Sequence, residues 1–389
     1  MMQSRRILFF SNHATFFASH RLHIASLLIK NGYDVYLVHG RNKNNNLEAK
    51  AKNEIVSKGV ILFEASFRPD ISNLITEITG FIQSARYIKM IKPDIIHTIS
   101  PKGLVLGGLL ANLLSIPHLV ISISGMGSIF TFGKKGFQSR LKKFLKLFIQ
   151  KCISFILKHK SIEVIVQNNY DRKYFQNSYS LKHSVISLIR GSGVEQSLYR
   201  NVDFNEKENI VLMVARLIST KGVKDYYNVT KDLAEKYSDW RFIIAGDIDK
   251  NNPDSISKET IDLWRKNSDV EFLGHLDEIH DLFKRSKIFC LPSYREGFPK
   301  TIMEASISGN ATVTYDSIGC REAVINNETG IIVKIGNINA LEKAIITLIE
   351  DNHMREILGR KALKYANENF TQEVVATKHL KIYKKLLND

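Results

Sequence analysis

The sequence of 389 residues contains only three cysteines, and they lie far apart at Cys152, Cys290 and Cys320. An odd number of isolated cysteines provides neither a disulfide framework nor the paired spacing of a zinc site, so we expect a reducing compartment. Proline is also scarce, with seven residues, and low-complexity tracts are missing. With a hydrophobic content of 44%, this composition excludes a disordered chain and indicates a globular protein.

Long uninterrupted apolar segments are missing as well. The basic pair at residues 5–6 is followed by apolar residues only at 7–10, which is too short for a signal peptide. Residues 103–133 carry no charge and would be long enough to span a membrane, but Pro117 and nearby polar residues interrupt them. We expect a helix, a turn and a strand there, in a cytoplasmic protein.

A chain of this length is expected to form two domains, and its charge is divided unevenly between the two halves of the sequence. Residues 1–200 contain 28 Lys and Arg against 10 Asp and Glu, so the whole excess of +16 comes from this half. Ten Lys and Arg lie between the consecutive acids Asp94 and Glu163. A field of one sign attracts anionic membranes or nucleic acid.

Short β-rich runs alternate with helical patterns in both halves, which indicates parallel sheets covered by helices. Predicted strands of the first half are Arg6–Ser11, Tyr33–His39, Val60–Glu64, Asp94–Thr98, His118–Ser124, Ile162–Gln167 and Val185–Ile189. Those of the second half are Ile210–Ala215, Phe242–Gly246, Val270–Leu273, Ile288–Leu291, Thr312–Tyr315 and Ile331–Val333. With a hinge at residues 191–193, we predict an α/β protein with two doubly wound, Rossmann-like domains facing a central cleft.

Residues 290–310 combine a buried strand, a sharp turn and a helix start. Pro299 suits the first position of that helix. A helix that begins directly after a strand directs free N–H groups and a positive dipole end at the sheet edge, so an anion such as phosphate is expected there. Glu296 and Glu304 bracket this position, and carboxylates accept hydrogen bonds from sugar and ribose hydroxyls. A nucleotide-sugar would satisfy both features.

A basic pair follows the first strand of the second half. Arg216 directly follows strand Ile210–Ala215, and the next helix is expected to begin near Lys221. A lysine at a helix N-terminus is unfavourable against the dipole unless an anion binds there. Arg216 would offer a fork of donors and Lys221 a point charge to a diphosphate. The alternative is a solvated basic pair.

The segment from Ser293 to Ala305, SYREGFPKTIMEA, resembles the signature of the retaining glycosyltransferases of family 4. The spacing of Arg216 and Lys221 is also similar to that family, and the resemblance is strongest over residues 210–333. It implies the two-domain GT-B fold, with residues 1–192 binding the acceptor and 193–371 the nucleotide-sugar. It further implies that the final helix, residues 372–389, crosses back to the first domain.

The resemblance also implies roles for particular residues. Arg216 and Lys221 would be catalytic, because they stabilise a departing nucleotide diphosphate while an oxocarbenium-like sugar forms. Glu296, the third catalytic residue, would bind hydroxyls of that sugar. The acceptor hydroxyl would pass its proton to the leaving phosphate, so that configuration is retained without a protein nucleophile or a cofactor. Donor-binding residues would be Glu304 at the ribose, Gly297, Phe298, Pro299, Thr301, Ile302, His275 and Leu276.

Asp247 and Asp249 form an Asp-x-Asp pair after a predicted strand, the pattern that other glycosyltransferases use to hold a divalent ion. Arg216, Lys221 and a helix N-terminus already offer more than two positive charges to the same phosphates. The aspartates also precede a turn, where aspartates commonly accept hydrogen bonds from backbone N–H groups. We therefore predict that both aspartates are structural and that the reaction needs no metal.

In the first half, His13 follows the first strand and His97 lies in a predicted strand; both are candidates for the acceptor side, although structural or solvated histidines remain alternatives. Family members often have glycines after the first strand, and this chain has none. At the tip 124–127 many members have a histidine that contacts the donor sugar, whereas this chain has Gly125. These departures leave the sugar undefined.

Residues 134–160 contain one apolar helical stripe and nine Lys or Arg. Such a helix either lies on an anionic bilayer or packs on its own sheet with a solvated basic face, and both interpretations stay open.

We predict a retaining glycosyltransferase that moves a hexose or N-acetylhexosamine from a nucleotide-sugar, UDP-linked, to a lipid-linked saccharide in bacterial surface-glycan synthesis. Its partners would be the donor, the acceptor and the anionic inner face of the cytoplasmic membrane, but not nucleic acid. The alternatives are a UDP-sugar epimerase or a phosphorylase of the same fold, and a non-catalytic basic protein that binds membrane or nucleic acid.

Overall fold

A computed structural model describes residues 4–42, 45–68, 74–124, 139–249 and 252–389. The chain forms two compact units: Met1–Ser192 with Val375–Asp389, and Gly193–Val374. Each unit contains a parallel sheet with helices packed on it. The predicted α/β class with two doubly wound sheets is therefore confirmed. The three cysteines are free and buried.

The first unit contains a seven-stranded sheet in the order β3-β2-β1-β4-β5-β6-β7. Its strands are β1 Arg6–Ser11, β2 Asp34–His39, β3 Ile61–Glu64, β4 Ile95–Thr98, β5 His118–Ile123, β6 Ile162–Val166 and β7 Ile186–Leu188. Its helices are α1 Ala14–Lys30, α2 Asn45–Ser57, α3 Leu74–Ile91, α4 Pro101–Leu113, α5 Ser139–Ile156, α6 Asn169–Tyr179 and the C-terminal α14 Gln372–Leu387.

Two apolar cores form on the two faces of this sheet, because its strands are buried on both sides, as is typical of parallel sheets. Helices α1, α2 and α14 close one core, which includes Phe9, Phe17 and Tyr383. Helices α3, α4 and α5 close the other, which includes Phe10 and Ile156.

The second unit contains a six-stranded parallel sheet in the order β10-β9-β8-β11-β12-β13. Its strands are β8 Glu208–Val214, β9 Arg241–Ala245, β10 Glu271–Gly274, β11 Ser286–Leu291, β12 Ala311–Tyr315 and β13 Gly330–Val333. Its helices are α7 Val223–Lys236, α8 Lys258–Lys266, α9 His280–Arg285, α10 Lys300–Ile307, α11 Cys320–Ala323, α12 Ile338–Glu350 and α13 Asn352–Asn369. The strand order reverses between β8 and β11, and such a switch point is where ligands bind in open α/β sheets.

Two boundaries differ from expectation for local reasons. Pro299 is the N-cap of α10 and not its first residue, since its ψ of 114° is extended. Lys221 precedes α7 in a 3-10 turn, because Gly222 adopts a φ of +73° before the helix begins. The uncharged segment divides into α4 and β5, as predicted, up to residue 124. Within the described ranges, none of the helices is long and apolar enough to cross a membrane.

Candidate active site

The loops that follow β8 and β11 meet at the switch point of the second unit. A Cβ atom on Gly222 would lie 2.0 Å from the carbonyl oxygen of Pro292, so only glycine allows this approach. The N–H of Tyr294 donates to the carbonyl of Thr220 at 3.0 Å. These backbone contacts hold the two loops together and place their side chains side by side.

Lys221 and Glu296 form an ion pair across these loops. The Nζ of Lys221 lies 2.5 Å from Oε1 of Glu296, and the hydroxyl of Ser293 donates to the same oxygen at 2.9 Å. The two charged side chains are only 20% and 12% exposed. The N–H of Glu296 donates to the carbonyl of Ile318 at 2.9 Å, which fixes the turn from the other side. Lys221 and Glu296, two of the three predicted catalytic residues, are therefore fixed side by side by these contacts.

Arg216 is more exposed and has its own acidic partner. Its side chain is 60% exposed, and Nη1 lies 2.6 Å from Oδ2 of Asp249. Asp247 accepts a hydrogen bond from the N–H of Ile248 at 2.8 Å, as expected for an aspartate at a turn. The carboxylate of Asp249 pairs with the guanidinium of Arg216, a contact that the sequence did not predict. In the part of the chain that the structure describes, no three His, Cys, Asp or Glu side chains are grouped to hold a metal ion.

Two helices begin at this edge without a side-chain cap, α7 after Gly222 and α10 after Pro299. Among the described residues, the N–H groups of Lys300 and Thr301 have no hydrogen-bond partner. Free N–H groups at a helix start carry the positive end of the helix dipole. The second unit thus offers an anion both free donors and the positive charges of Lys221 and Arg216.

The corresponding helices of the first unit are already capped. The carboxylate of Glu48 accepts from the N–H of Ala14 at 2.6 Å, at the start of α1, and His13 accepts from Phe16 at 3.1 Å. The hydroxyl of Ser100 caps α4. This contrast makes the second unit the candidate site for an anion.

Glu304 lies in α10, one turn beyond these free N–H groups, and is 8% exposed. Its Oε1 is 3.6 Å from Nζ of Lys300. Burial raises the pKa of Glu304, while Lys300 and a hydrogen bond from Tyr199 oppose that shift. This carboxylate keeps oxygen lone pairs to accept hydrogen bonds from hydroxyl groups.

The other predicted donor-binding residues differ in what they can offer. Phe298 packs against Phe370 in the core, with ring centroids 5.4 Å apart. Ile302 is completely buried, and its N–H donates to the carbonyl of Pro299 at 3.2 Å. It therefore has no free group for a ligand, and our prediction that Ile302 binds the donor is corrected. Pro299 lacks an N–H and offers only apolar surface. Thr301 can offer its free backbone N–H to an anion.

The loop after β10 carries the residues expected near the nucleobase. His275 is 74% exposed and lies 3.6 Å from Asp277. Leu276 is half-buried against the core of the unit. Gly274, which ends β10, accepts a hydrogen bond from the N–H of Gly246 at 2.7 Å. This bond ties the loop after β10 to the loop that follows β9.

Asp225 is a site residue that sequence reasoning missed. It lies in the first turn of α7 and accepts hydrogen bonds from the hydroxyls of Tyr294 and Tyr315, at 2.7 and 2.8 Å. It therefore links the loop of Glu296 to α7 and β12. An aspartate in the first turn of a helix is usually assigned to the helix dipole, and no motif distinguished Asp225.

In the first unit, His13 lies at the start of α1 with Nδ1 2.6 Å from the hydroxyl of Thr15. Burial lowers the pKa of His13, and Glu48 partly opposes that shift. His13 is thus a neutral imidazole at neutral pH that remains partly exposed. Gly125 lies outside the described residues.

His97 has no exposed surface. Its Nδ1 lies 2.6 Å from the hydroxyl of Tyr383 in α14, and Nε2 lies 2.7 Å from the hydroxyl of Ser122. Burial holds the pKa of His97 well below its usual range, and His379 and Arg21 add to this effect. The side chain joins α14 to the sheet and does not face a ligand, so the proposed acceptor role of His97 is corrected.

Two protein families match the two units. The family described as Glycosyl transferases group 1 matches residues 195–365, and the family described as Glycosyl transferase 4-like matches residues 6–168. Together they cover most of the chain.

Relatives of known name are similar over most of their length. The chain is 29% identical to the N,N'-diacetylbacillosaminyl-diphospho-undecaprenol alpha-1,3-N-acetylgalactosaminyltransferase of Campylobacter jejuni. The alignment spans 344 residues and covers 85% of this chain and 86% of that protein. It is 25% identical over 287 residues, 72% of each chain, to the UDP-Gal:alpha-D-GlcNAc-diphosphoundecaprenol alpha-1,3-galactosyltransferase of Escherichia coli.

Solved structures share the fold over the whole chain. Anabaena Alr3699/HepE in complex with UDP superposes with a TM-score of 0.75 at 16% identity and covers 98% of this chain and 100% of its own. Sucrose-phosphate synthase from Thermosynechococcus elongatus gives a TM-score of 0.77 at 18% identity and covers 99% and 100%. Both likenesses concern the fold.

Proposed function

The chain belongs to the family 4 glycosyltransferases, and we propose that it transfers a sugar, with retention of configuration, from a UDP-linked donor to a lipid-linked saccharide. The single observation that carries this proposal is the Lys221–Glu296 pair, fixed beside the uncapped start of α10. Cations and free N–H groups suit a diphosphate, and carboxylates suit the hydroxyls on either side of it.

The donor and acceptor classes are supported by the relatives. One relative is named for a UDP-galactose donor, and two are named for acceptors with a saccharide on diphospho-undecaprenol. Both names specify an alpha linkage. An alpha product from an alpha-linked UDP-sugar requires retention, so the proposed stereochemistry agrees with these names.

In the proposed reaction, the bond between the anomeric carbon and the diphosphate oxygen breaks, and its electron pair leaves with UDP. Lys221, Arg216 and the N–H groups of Lys300 and Thr301 stabilise the negative charge that develops on the diphosphate. The acceptor hydroxyl forms the new bond on the same face of the sugar and passes its proton to the leaving phosphate. For this, Arg216 exchanges Asp249 for a phosphate oxygen, which its exposed position allows.

Nucleotide-sugar binding can be tested by thermal shift with the complete chain. UDP-sugars should raise the melting temperature in proportion to the logarithm of their concentration above Kd. GDP- and ADP-sugars carry the same diphosphate with a different base, so they are matched controls for stabilisation that comes from the diphosphate alone. If none of these ligands stabilises the protein, the proposed donor site is wrong.

We expect transfer to proceed without a divalent metal. The cations and the helix N-terminus described above balance the charge of the diphosphate without a metal ion. The initial rate measured with excess EDTA should stay within about twofold of the rate without it. Loss of activity in EDTA, followed by recovery with Mg²⁺ or Mn²⁺, would contradict this expectation.

We also propose that the first unit docks on anionic lipid, which would bring the enzyme to a lipid-linked acceptor. Helices α3, α4 and α5 cover one face of its sheet and share one core. The outer side of α3 exposes four large apolar side chains, namely Leu74, Ile75, Ile78 and Ile82 at 71%, 73%, 52% and 47%. The sequence of α5 carries Arg140, Lys142, Lys143, Lys146 and Lys151. Apolar and basic residues together favour an anionic bilayer surface.

Co-sedimentation with vesicles tests this docking. Binding should increase with the fraction of anionic lipid and weaken with salt, since each basic residue near the surface contributes about 1 kcal/mol. Replacing Ile75 and Ile78 by serine should lower the bound fraction about tenfold, because each loses apolar burial in the bilayer. Leu263→Ser is the matched control, as Leu263 is 56% exposed on α8 of the second unit. Binding that ignores lipid charge and salt would rule out the proposal.

A further inference from the structure

A basic pocket lies at the amino-terminal edge of the sheet in the second unit. Its residues precede β8 and β12, begin β11, or lie in the first turns of α13. They are Phe204, Lys207, Lys287, Gly309, Asn352, Arg355 and Glu356. The residues proposed to bind the donor follow the carboxyl ends of the same strands. The pocket is therefore a separate site at the opposite edge of the sheet.

Two cations of the pocket are almost completely buried. Lys207 is 7% exposed and Arg355 is 6% exposed. The Nζ of Lys207 donates to the carbonyls of Lys284 and Ser286 at 3.0 and 2.8 Å. Because an ammonium group has three N–H donors, one donor of Lys207 remains for another acceptor. The guanidinium of Arg355 donates to the last carbonyls of α12, which holds it in place.

The positive charges in this pocket are incompletely neutralised. Among the described residues, Lys207, Lys287 and Arg355 form no ion pair with a carboxylate. The one acid that lines the pocket, Glu356, lies 2.6 Å from Arg360. Burial and the neighbouring charge of Lys287 lower the pKa of Lys207 to about 7. Acids near Arg355 and Lys287 attract these cations without forming an ion pair, and an anion in contact with the cations would add to this compensation.

We propose that this pocket binds a small oxyanion, naturally a phosphate group, through Lys207, Lys287 and Arg355. The oxygens of a phosphate accept hydrogen bonds from several converging cations and relieve their mutual repulsion. The side-chain oxygen of Asn352 accepts from Arg355 at 2.5 Å, so its NH₂ group supplies a neutral donor. Since the donor diphosphate is assigned to the opposite edge, the ligand here is an effector and not a substrate.

Sulfate is the probe for this pocket, because its charge does not change between pH 6 and pH 8. Titration calorimetry at constant ionic strength would use the complete chain with Arg216→Ala, which weakens anion binding at the candidate donor site. Lys287→Met should weaken sulfate binding about tenfold or more, because one charge-assisted contact is lost. Lys231→Met, on α7 outside the pocket, removes the same charge and should not change the affinity. Equal affinity in the two lysine variants would overturn the proposal.

The pH dependence provides a second test. Sulfate affinity should fall about tenfold from pH 6 to pH 8, since Lys207 loses its proton over this range. Lys207→Met should bind sulfate weakly and without this dependence, and an unchanged pH dependence in that variant would reject the assignment. The charge that acts directly on Lys207 is that of Lys287. Lys287 is in turn influenced by Arg355 and Asp239, and Arg355 by Asp351 and Glu356.

Competition experiments can identify the chemical class of the natural ligand. Inorganic phosphate and a sugar monophosphate, each titrated against bound sulfate, distinguish the free ion from a phosphorylated sugar. Competition by either one, lost in Lys287→Met, supports the proposal. If neither competes with sulfate, the pocket is not a phosphate site.

Discussion

Replacing Lys221 by methionine should lower kcat/KM about 30- to 1000-fold while the protein stays folded, since one preorganised contact to a developing phosphate charge contributes about 2–4 kcal/mol to the barrier. Methionine keeps the length of the side chain and removes its charge. The carboxylate of Glu296, now 2.5 Å from Lys221 Nζ, would then face the diphosphate without a cation. Steady-state kinetics with a UDP-sugar, together with the melting temperature, measure both parts of this expectation.

A double-mutant cycle with Glu296→Gln is the control for Lys221→Met. Because the two side chains contact each other and act on one ligand, their effects should not add. The double variant should be less impaired than the product of the two single effects. Near-normal turnover in folded Lys221→Met, or fully additive effects, would contradict the assigned roles.

Gly222→Ala should reduce kcat/KM at least about 100-fold, because displacing a catalytic group by about 1 Å has an effect of this size. The new Cβ would lie 2.0 Å from the carbonyl oxygen of Pro292, and backbone cannot yield as a side chain does. The loop after β8 must move away from the loop after β11. Lys221, which immediately precedes the glycine, would then lose its position beside Glu296.

Gly336→Ala is the matched control, because Gly336 also has a positive φ, of +72°, and its Cβ would meet nothing within 4 Å. Both variants should lose about 1–2 kcal/mol of stability from the left-handed backbone conformation. Only Gly222→Ala should lose most of its activity. Equal activity in the two variants would show that the contact between the loops does not position Lys221.

Much of the fold could be predicted from the sequence because parallel strands buried on both faces read as short β-branched runs. The thirteen predicted strands all occur, with ends that agree to within two residues. The motif residues Lys221 and Glu296 lie together because strand order brings the ends of β8 and β11 to one edge. Local pattern and topology were sufficient for this part of the site.

The contacts that the sequence did not predict involve side chains whose partners are distant in sequence. His97 is buried against Tyr383, 286 positions later, and no local pattern indicates that contact. Asp249 pairs with Arg216 across two loops, and Asp225 receives hydroxyls from two separate segments. The pocket around Lys207 depends in the same way on residues from four places in the chain. These contacts are decided by packing and not by spacing.

The configuration of the product tests the central claim most directly. The complete enzyme would be incubated with an alpha-linked UDP-sugar and a saccharide linked to diphospho-undecaprenol, and the new linkage would be assigned by NMR from its anomeric proton. We expect an alpha-linked sugar on the lipid-linked acceptor and one equivalent of UDP. A beta linkage, or an epimerised UDP-sugar with no product on the acceptor, would contradict the proposed function.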